Sequence, residues 1–444
     1  MKKVFVNILR VKKFKTAFLF LISCSTFPFV SSQSLLTPEE AVNIALQNNF
    51  GILVARNNAD IAKINNSPGA AGMLPTISAN ASANLTNNNV NTELINNTQI
   101  VKPSSQAVSK SAGLALSWVL FDGGKMFITK SKLNKLQDLG NTYYKDTIQQ
   151  TVYNVMVAYY NVVSQKQQLN SVNEAINFGN EQVKILQKSF DAGLTSKSSL
   201  LQAKIDLNVF KESAINQQFA IIAAKRALNQ ILARDSDAVF DVVDSITNTY
   251  VPDKNMLLQK LDSSNLSIYA AQKQIEVARM ILREYNATRL PKITLSAGYN
   301  LSIIDNNASN VTYSRSYGPT IGATISIPIF QAGTINRQAS IARIQLSTAN
   351  YNFKKISLLI NTQLQNTLNQ YDNLRQLLDI EKENELMAKE NVDIALKRLQ
   401  LGQATSLEVR QAQESYVNSQ TRRINFEYSL KMVEIKLKQL VAEL

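Results

Sequence analysis

The 444-residue sequence contains no histidine, and its single cysteine is Cys24. Without imidazole, Ser-His and Cys-His nucleophile arrangements are excluded, as are the usual zinc, copper and haem ligand sets. Carboxylate-only catalysis is left, and no acidic pair stands out from the general scatter of Asp and Glu. Neither a Walker A motif nor a GxGxxG loop opens a helical stretch, so no nucleotide site is indicated. The reading is a protein that is not an enzyme and uses no cofactor. Proline is scarce too: none falls between Pro103 and Pro252 or after Pro328. Two very long stretches therefore lack the residue that most strongly interrupts a helix.

At the N-terminus, six basic residues (Lys2, Lys3, Arg10, Lys12, Lys13, Lys15) precede the apolar run "TAFLFLISCSTFPFV". "VSSQ" then offers a small-residue cleavage site, so residues 1–32 read as an export signal. A transmembrane anchor fits less well, because Pro28 interrupts an already short run. Leu21-Ile22-Ser23-Cys24 also resembles a lipobox, which would leave Cys24 lipidated. Both outcomes place the chain outside the cytoplasm. Loss of the six basic residues lowers the formal net charge from +14 to +8. No concentrated Lys/Arg block remains, and nucleic acid is not an expected partner.

What is present comes in duplicate. "SWVLFDGG" at 117–124 returns as "SIPIFQAG" at 326–333, which aligns Phe121 with Phe330, 209 residues on (330 − 121). The same offset pairs Gly124 with Gly333, Gly193 with Gly402, Ala203 with Ala412 and Leu228 with Leu437. Upstream, Asn49 pairs with Asn265 and Pro75 with Pro291 at an offset of 216. The seven-residue difference falls in the polar stretch "NNNVNTELINNTQIVKPSSQ", read as a hairpin loop. The sequence is thus an internal duplication. It divides into a first repeat over 33–233, an intervening segment at 234–254 and a second repeat over 255–444. Each repeat runs helix, strand hairpin, long helical hairpin.

Four segments alternate with period two over roughly ten to thirteen residues. At 76–86 the apolar set is Ile77, Ala79, Ala81, Ala83 and Leu85. "SAGLALSWVLF", "KITLSAGYNLSI" and "YGPTIGATISIPIF" follow the same rule. Such lengths suit one face of a soluble sandwich or a tilted membrane strand. The helices decide. Residues 125–190 and 334–399 could each be one continuous rod of about 100 Å. Rods of that length need partners along their whole extent. The shorter returning helices are expected at 196–233 and 405–444, and the opening helix of each repeat near 37–65 and 255–289.

Four strands cannot close a barrel in lipid, because the edges leave unpaired backbone groups. Two chains give eight strands and a filled interior, whereas three give twelve and a lumen. The repeated strand-to-helix junction at Phe121, Gly123, Gly124, Phe330 and Gly333 then marks where membrane wall becomes tube wall. Glycine permits the sharp turn there. Small polar strand residues (Ser78, Asn80, Ser82, Ser117, Thr294, Ser296, Asn300) would line a hydrated pore.

Together the "VLFDGG" and "IPIFQAG" junctions, the "LPTISANAS" and "LPKITLSAG" strand openings and the "FDAGLTS" and "LQLGQAT" turns resemble the TolC family of outer-membrane efflux and export channels. The resemblance implies a membrane α+β fold: a homotrimeric twelve-stranded β-barrel, four strands per chain, continued by a long α-helical periplasmic barrel. It implies the outer membrane of a Gram-negative envelope, with surrounding lipid, a periplasmic adaptor (membrane fusion) protein and an inner-membrane transporter as partners. The function implied is the exit duct of a tripartite efflux pump or type I secretion system. Residues 234–254 match the family's equatorial segment. The turns at Gly193, Leu194, Thr195 and at Gly402, Gln403, Ala404 would form the closed tip and dock the adaptor. Glu408 would stand in a threefold acidic aperture ring, or else be a solvated helix residue. Gln411, Ser199 and Gln202 occupy related positions without acid, which weakens any cation selectivity. The proline common after the helical asparagine is absent from "QNNF" and "SSNL". A different class of reading is a non-conducting structural or adhesive outer-membrane stalk, for which the Asn-rich residues 87–97 would be the active surface.

Overall fold

The structure is a computed structural model that describes residues 35–307 and 311–444. The expected export signal at 1–32 and Cys24 lie outside the described residues. The chain opens with β1 (Leu35–Leu36), α1 (Pro38–Asn48) and α2 (Phe50–Asn65), then forms the hairpin β2 (Thr76–Glu93) and β3 (Gln99–Asp122). Next come α3 (Lys125–Asp191), α4 (Lys197–Ile231) and β4 (Asp241–Val242). The second half repeats the order with α5 (Lys254–Ser264), α6 (Leu266–Ala287), β5 (Lys292–Asn306), β6 (Tyr313–Ser326), α7 (Thr334–Gln400) and α8 (Ser406–Leu440). The element starts keep the sequence offsets: α1 to α5 and β2 to β5 are 216 apart, and α3 to α7 and α4 to α8 are 209 apart.

Local chemistry fixes the helix ends. Thr37 and Glu40 form a capping box ahead of Pro38, which sits where a missing N–H is harmless. The opening helix, expected to be continuous, is broken in both repeats. Asn49 and Asn265 adopt extended backbone (φ −61° and −66°), and their side chains cap α2 and α6. Each asparagine also donates its side-chain N–H to the end of a returning helix, Asn49 to the Ile231 carbonyl (2.8 Å) and Asn265 to the Leu440 carbonyl (2.9 Å). The pairing of these two residues in the sequence thus reflects a repeated anchor.

Two strand expectations are corrected. The Asn-rich stretch expected to be a long loop is mostly strand, since β2 runs to Glu93 and β3 starts at Gln99. Backbone pairing continues there without apolar alternation because it uses only main-chain groups, from Asn88↔Ser105 through a bulge to Glu93↔Gln99. The seven extra residues lengthen this hairpin past β5, whose pairing with β3 ends at Ala107↔Asn306. The last strand, expected to reach Phe330, stops at Ser326. Pro328 has no N–H to give a ladder, and Ala332 and Gly333 have positive φ (47° and 72°).

The architecture is a four-column wall. The sheet order is β2-β3-β5-β6, all antiparallel. Directly below, helices pack in the order α2, α3, α6, α7, and further down in the order α4, α3, α8, α7. Two 67-residue helices, α3 and α7, therefore run the whole length below the sheet, about 100 Å at 1.5 Å per residue. No single core holds this wall. One cluster around Tyr159, Leu228, Phe240 and Ile435 joins the first-repeat helices to α8 and the 234–254 segment. A second, with Leu261, Leu364, Tyr371 and Leu437, serves α5, α7 and α8. A third, with Leu186, Leu200, Val392 and Tyr416, holds the far end together.

The 234–254 segment crosses the wall like a strap. Its β4 pairs in parallel with β1, and Lys166 of α3 bridges Asp241 and Asp244 (2.8 and 2.7 Å). Tyr159 donates its hydroxyl to the Leu36 carbonyl (2.8 Å). Farther along, Lys431 of α8 donates to the Thr247 carbonyl (3.0 Å), and Tyr371 of α7 to that of Tyr250. Burial of aromatic side chains at this level pushes the Tyr160 hydroxyl pKa up to about 12.

Candidate channel wall and helical tip

Directly opposed residues share a face of a sheet, so the register sorts the side chains into rows. On one face the rows are Ile77–Leu116–Ala297–Ile321, Ala79–Leu114–Tyr299–Pro319 and Ala81–Ala112–Leu301–Tyr317. On the other they are Thr76–Ser117–Ser296–Gly322, Ser78–Ala115–Gly298–Thr320, Asn80–Gly113–Asn300–Gly318 and Ser82–Ser111–Ser302–Ser316. The structure thus places six of the seven residues expected to line a pore directly in these small, uncharged rows. The seventh, Thr294, pairs with Val119 and Thr324 on the same face. The opposite face leaves large apolar groups exposed, Ile77 at 71% and Ile321 at 81%. A soluble sandwich would bury such a face against a second layer, but none of the described residues forms one over it.

In the Asn/Gly row, the side chain of Asn300 lies over Gly113, where an added Cβ would meet its Oδ1 at 2.2 Å. Glycine on alternate strands lets the amides lie along the wall instead of projecting from it.

Both edges of the wall are unpaired within the chain. Among the described residues β2 and β6 each have one neighbour, and the edge helices carry exposed apolar stripes that none of these residues covers. On α7 the exposed residues Ile344, Tyr351 and Leu358 recur every seven positions, as do Ile380, Met387 and Ile394, a series that Leu401 continues at the helix cap. On α4 the exposed set is Leu201, Ile205, Val209, Ile215, Phe219 and Ile222. A seven-residue apolar repeat is the seam of helices that wind around one another.

At the strand-to-helix junctions, Gly123 and Gly124 have φ of +75° and +80°, and Gly333 +72°. Gly123 is also sterically confined, for an added Cβ would lie 2.5 Å from the Ala287 carbonyl oxygen and 2.6 Å from Leu290 Cβ. Nothing lies within 4 Å of the same point at Gly124 or Gly333. The two aromatic residues differ: Phe121 is 40% exposed and Phe330 85%.

At the opposite end, the two helical hairpins reverse by the same device. Gly193 and Gly402 have φ of +74° and +72°, and the following amides, Leu194 and Gln403, donate back to the Ser189 and Arg398 carbonyls (both 2.8 Å). Thr195 and Ala404 are half-buried in these turns, while Leu194 and Leu401 are exposed. Glu408 is the third residue of α8 and completes a capping box: its Oε2 accepts from Thr405 N–H (3.2 Å), and its own N–H donates to Thr405 Oγ1 (3.2 Å). It lines a hollow of 280 Å³ with Arg398, Asn391 and Gln411. The positions that match Glu408 and Gln411 in the first repeat hold no acid: Ser199 donates its N–H to the Ser196 cap, and Gln202 donates to Asp206 (2.8 Å).

A feature with no sequence signature lies higher on the same hairpins. Between α3 and α8, Tyr416 donates its hydroxyl to Glu174 Oε2 (2.6 Å), and Gln420 donates to the same oxygen (2.9 Å). Ser171 donates to Gln420 Oε1, and Gln182 donates to Ser406 Oγ (3.1 Å). By contrast α7 and α8 are joined by ion pairs, Glu381 with Arg422 (2.6 Å) and Glu385 with Arg423. Burial would raise the Glu381 carboxyl pKa, but hydrogen bonds from Arg422 and Asn384 hold it below its ordinary value. Among the described residues no helix is long and apolar enough to cross a membrane.

The profile of the family described as "Outer membrane efflux protein" matches residues 41–234 and 257–443. The chain is 22% identical over 243 residues to the outer membrane protein TolC of Vibrio cholerae, a match covering 53% of this chain and 55% of that protein. With TolC of Escherichia coli it shares 22% over 347 residues, 75% of this chain and 69% of that one. The crystal structure of the Campylobacter jejuni CmeC outer membrane channel superposes with a TM-score of 0.76 at 18% identity, covering 91% of this chain and 85% of that one.

Proposed function

The chain belongs to the outer membrane efflux protein family, and from that premise we propose that three copies form a passive exit duct through the outer membrane and the periplasm. The observation that carries this reading is the four-column wall, apolar on one face of its sheet, small and polar on the other, and open at both edges along its whole length. Strand edges in lipid must find partners, so β6 of one copy pairs with β2 of the next. Below, the apolar stripes of α7 and α4 meet in the same way. Three walls give twelve strands and a water-filled lumen.

The duct carries out no chemistry. It serves a tripartite efflux pump or a type I secretion system, with an inner-membrane transporter supplying the energy. A periplasmic adaptor meets the helical turns around Gly193 and Gly402, where Leu194 and Leu401 are exposed. Opening moves the α7–α8 hairpin against α3: between α3 and α8, hydrogen bonds from Tyr416 and Gln420 to Glu174 lie beside the Tyr416–Phe178 ring contact, whereas α7 and α8 are tied by ion pairs. Gln413, a buried amide on α8, finds no hydrogen-bond partner among the described residues, so exposing it to water on opening would offset part of the cost. Glu408 gives the tip only weak cation preference, since its carboxylate caps α8 and Arg398 lines the same hollow. A non-conducting stalk would have no use for a continuous polar inner face.

Stoichiometry tests the assembly. Light scattering of the detergent-solubilised protein should give the mass of three chains. A monomer or a dimer contradicts the proposal.

A further inference from the structure

The apolar face of the sheet ends on a charged row. Above the row of Tyr317 come Ala83–Lys110–Ile303–Arg315 and then Leu85–Val108–Asp305–Tyr313. Lys110, Arg315 and Asp305 are the charged side chains that the register places on this face, from the Phe121–Ile293–Ile325 row up to the Tyr313 row. Lys110 and Arg315 are both exposed, and neither forms an ion pair among the described residues. Arg315 lies over the Tyr317 ring (5.7 Å). The two cations sit on strands separated by β5 alone, about 10 Å apart across the sheet.

Their height is telling. Arg315 lies ten residues above Ile325 on β6, or about 26 Å at 3.4 Å per residue and a strand tilt near 40°. That is the height of the apolar band of a membrane barrel. Tyr313 and Tyr317 flank Arg315 where interfacial aromatic residues gather. Cations at this level face lipid headgroups rather than bulk water. Resting on the trimeric barrel proposed above, we infer that Lys110 and Arg315 form a binding site for the phosphate groups of an anionic lipid in the outer leaflet. In the trimer the pair recurs three times, with one cation on every second strand. Asp305, one row farther out, opposes the site and limits its affinity.

The probe is diphosphoryl lipid A in phosphatidylcholine vesicles containing the purified trimer, with retained lipid read by native mass spectrometry. Each cation near an anionic surface contributes roughly a fivefold factor, so Lys110→Ser with Arg315→Ser should lower retention about thirtyfold. Asp305→Asn should raise it, and Lys102→Ser, in the hairpin extension above the band, should leave it unchanged. Equal retention by wild type and the double variant overturns the site. So does equal retention of dephosphorylated lipid A, or saturation of the site by inorganic phosphate at the same concentration. Conductance of the same preparations separates the two levels: a conducting double variant with undiminished lipid refutes this site alone, whereas protein that never conducts refutes the barrel on which it rests.

Discussion

Tyr416→Phe removes one buried hydroxyl and little else. Tyr416 is 2% exposed, and its ring packs edge-on against Phe178 with centroids 5.8 Å apart, a contact phenylalanine preserves. The lost bonds are the donation to Glu174 Oε2 (2.6 Å) and the acceptance from Gln420 (2.7 Å). A hydrogen bond to a charged group contributes about 1.5–3 kcal/mol. If the α3–α8 seam parts when the tip opens, this contribution belongs to the closed state alone. A loss of about 2 kcal/mol shifts the closed-to-open ratio about thirtyfold per protomer. Burial, then the neighbouring Glu174 carboxylate, raises the Tyr416 hydroxyl pKa, so the latch stays protonated through the alkaline range. The assay is open probability in planar bilayers at low voltage, with helical content followed by circular dichroism. Unchanged open probability in a fully helical variant would mean that the α3–α8 seam is not the surface that parts.

Other consequences follow from single positions. Gly124→Ala should lower stability by about 1–2 kcal/mol through its positive φ alone, whereas Gly123→Ala adds overlap with Ala287 and Leu290, about 2 kcal/mol more; equal losses in thermal unfolding contradict this. Thr405→Ala removes the α8 cap, about 1 kcal/mol, and should speed hydrogen exchange at the Glu408 amide without affecting α4. Glu381 has a folded pKa below its unfolded value of 4.5, so the stability it confers is present above that value and is lost as pH falls through the folded one. The melting temperature should therefore decline below about pH 5, and Glu381→Gln should flatten the decline.

The long helices were legible because nothing in them breaks a helix, and the repeat was legible because whole elements recur at fixed offsets. Strand ends were harder to place. β2 and β3 extend through Asn-rich sequence on main-chain pairing, with Asn87 and Asn89 accepting from Ser104, so no apolar alternation announces them. β6 ends early for a reason that was visible, Pro328, but its weight against three more apolar residues (Ile327, Ile329, Phe330) was not. The breaks at Asn49 and Asn265 hide inside good helical sequence and depend on carbonyls 182 and 175 residues away. The α3–α8 latch is farther from any sequence rule, since Tyr416 and Glu174 are 242 residues apart and have no motif around them. Glu408 was visible as an acid after the turn, and its spacing from Thr405 is that of a capping box, the bond that holds its carboxylate against the helix end.

Single-channel current across a planar bilayer, recorded for wild type beside Tyr416→Phe and Glu408→Ala, tests the duct most directly. Wild type should give small, stable unitary currents, Tyr416→Phe a higher open probability, and Glu408→Ala little change in ion preference. Correctly inserted trimers that pass no current in any of the three would contradict the duct.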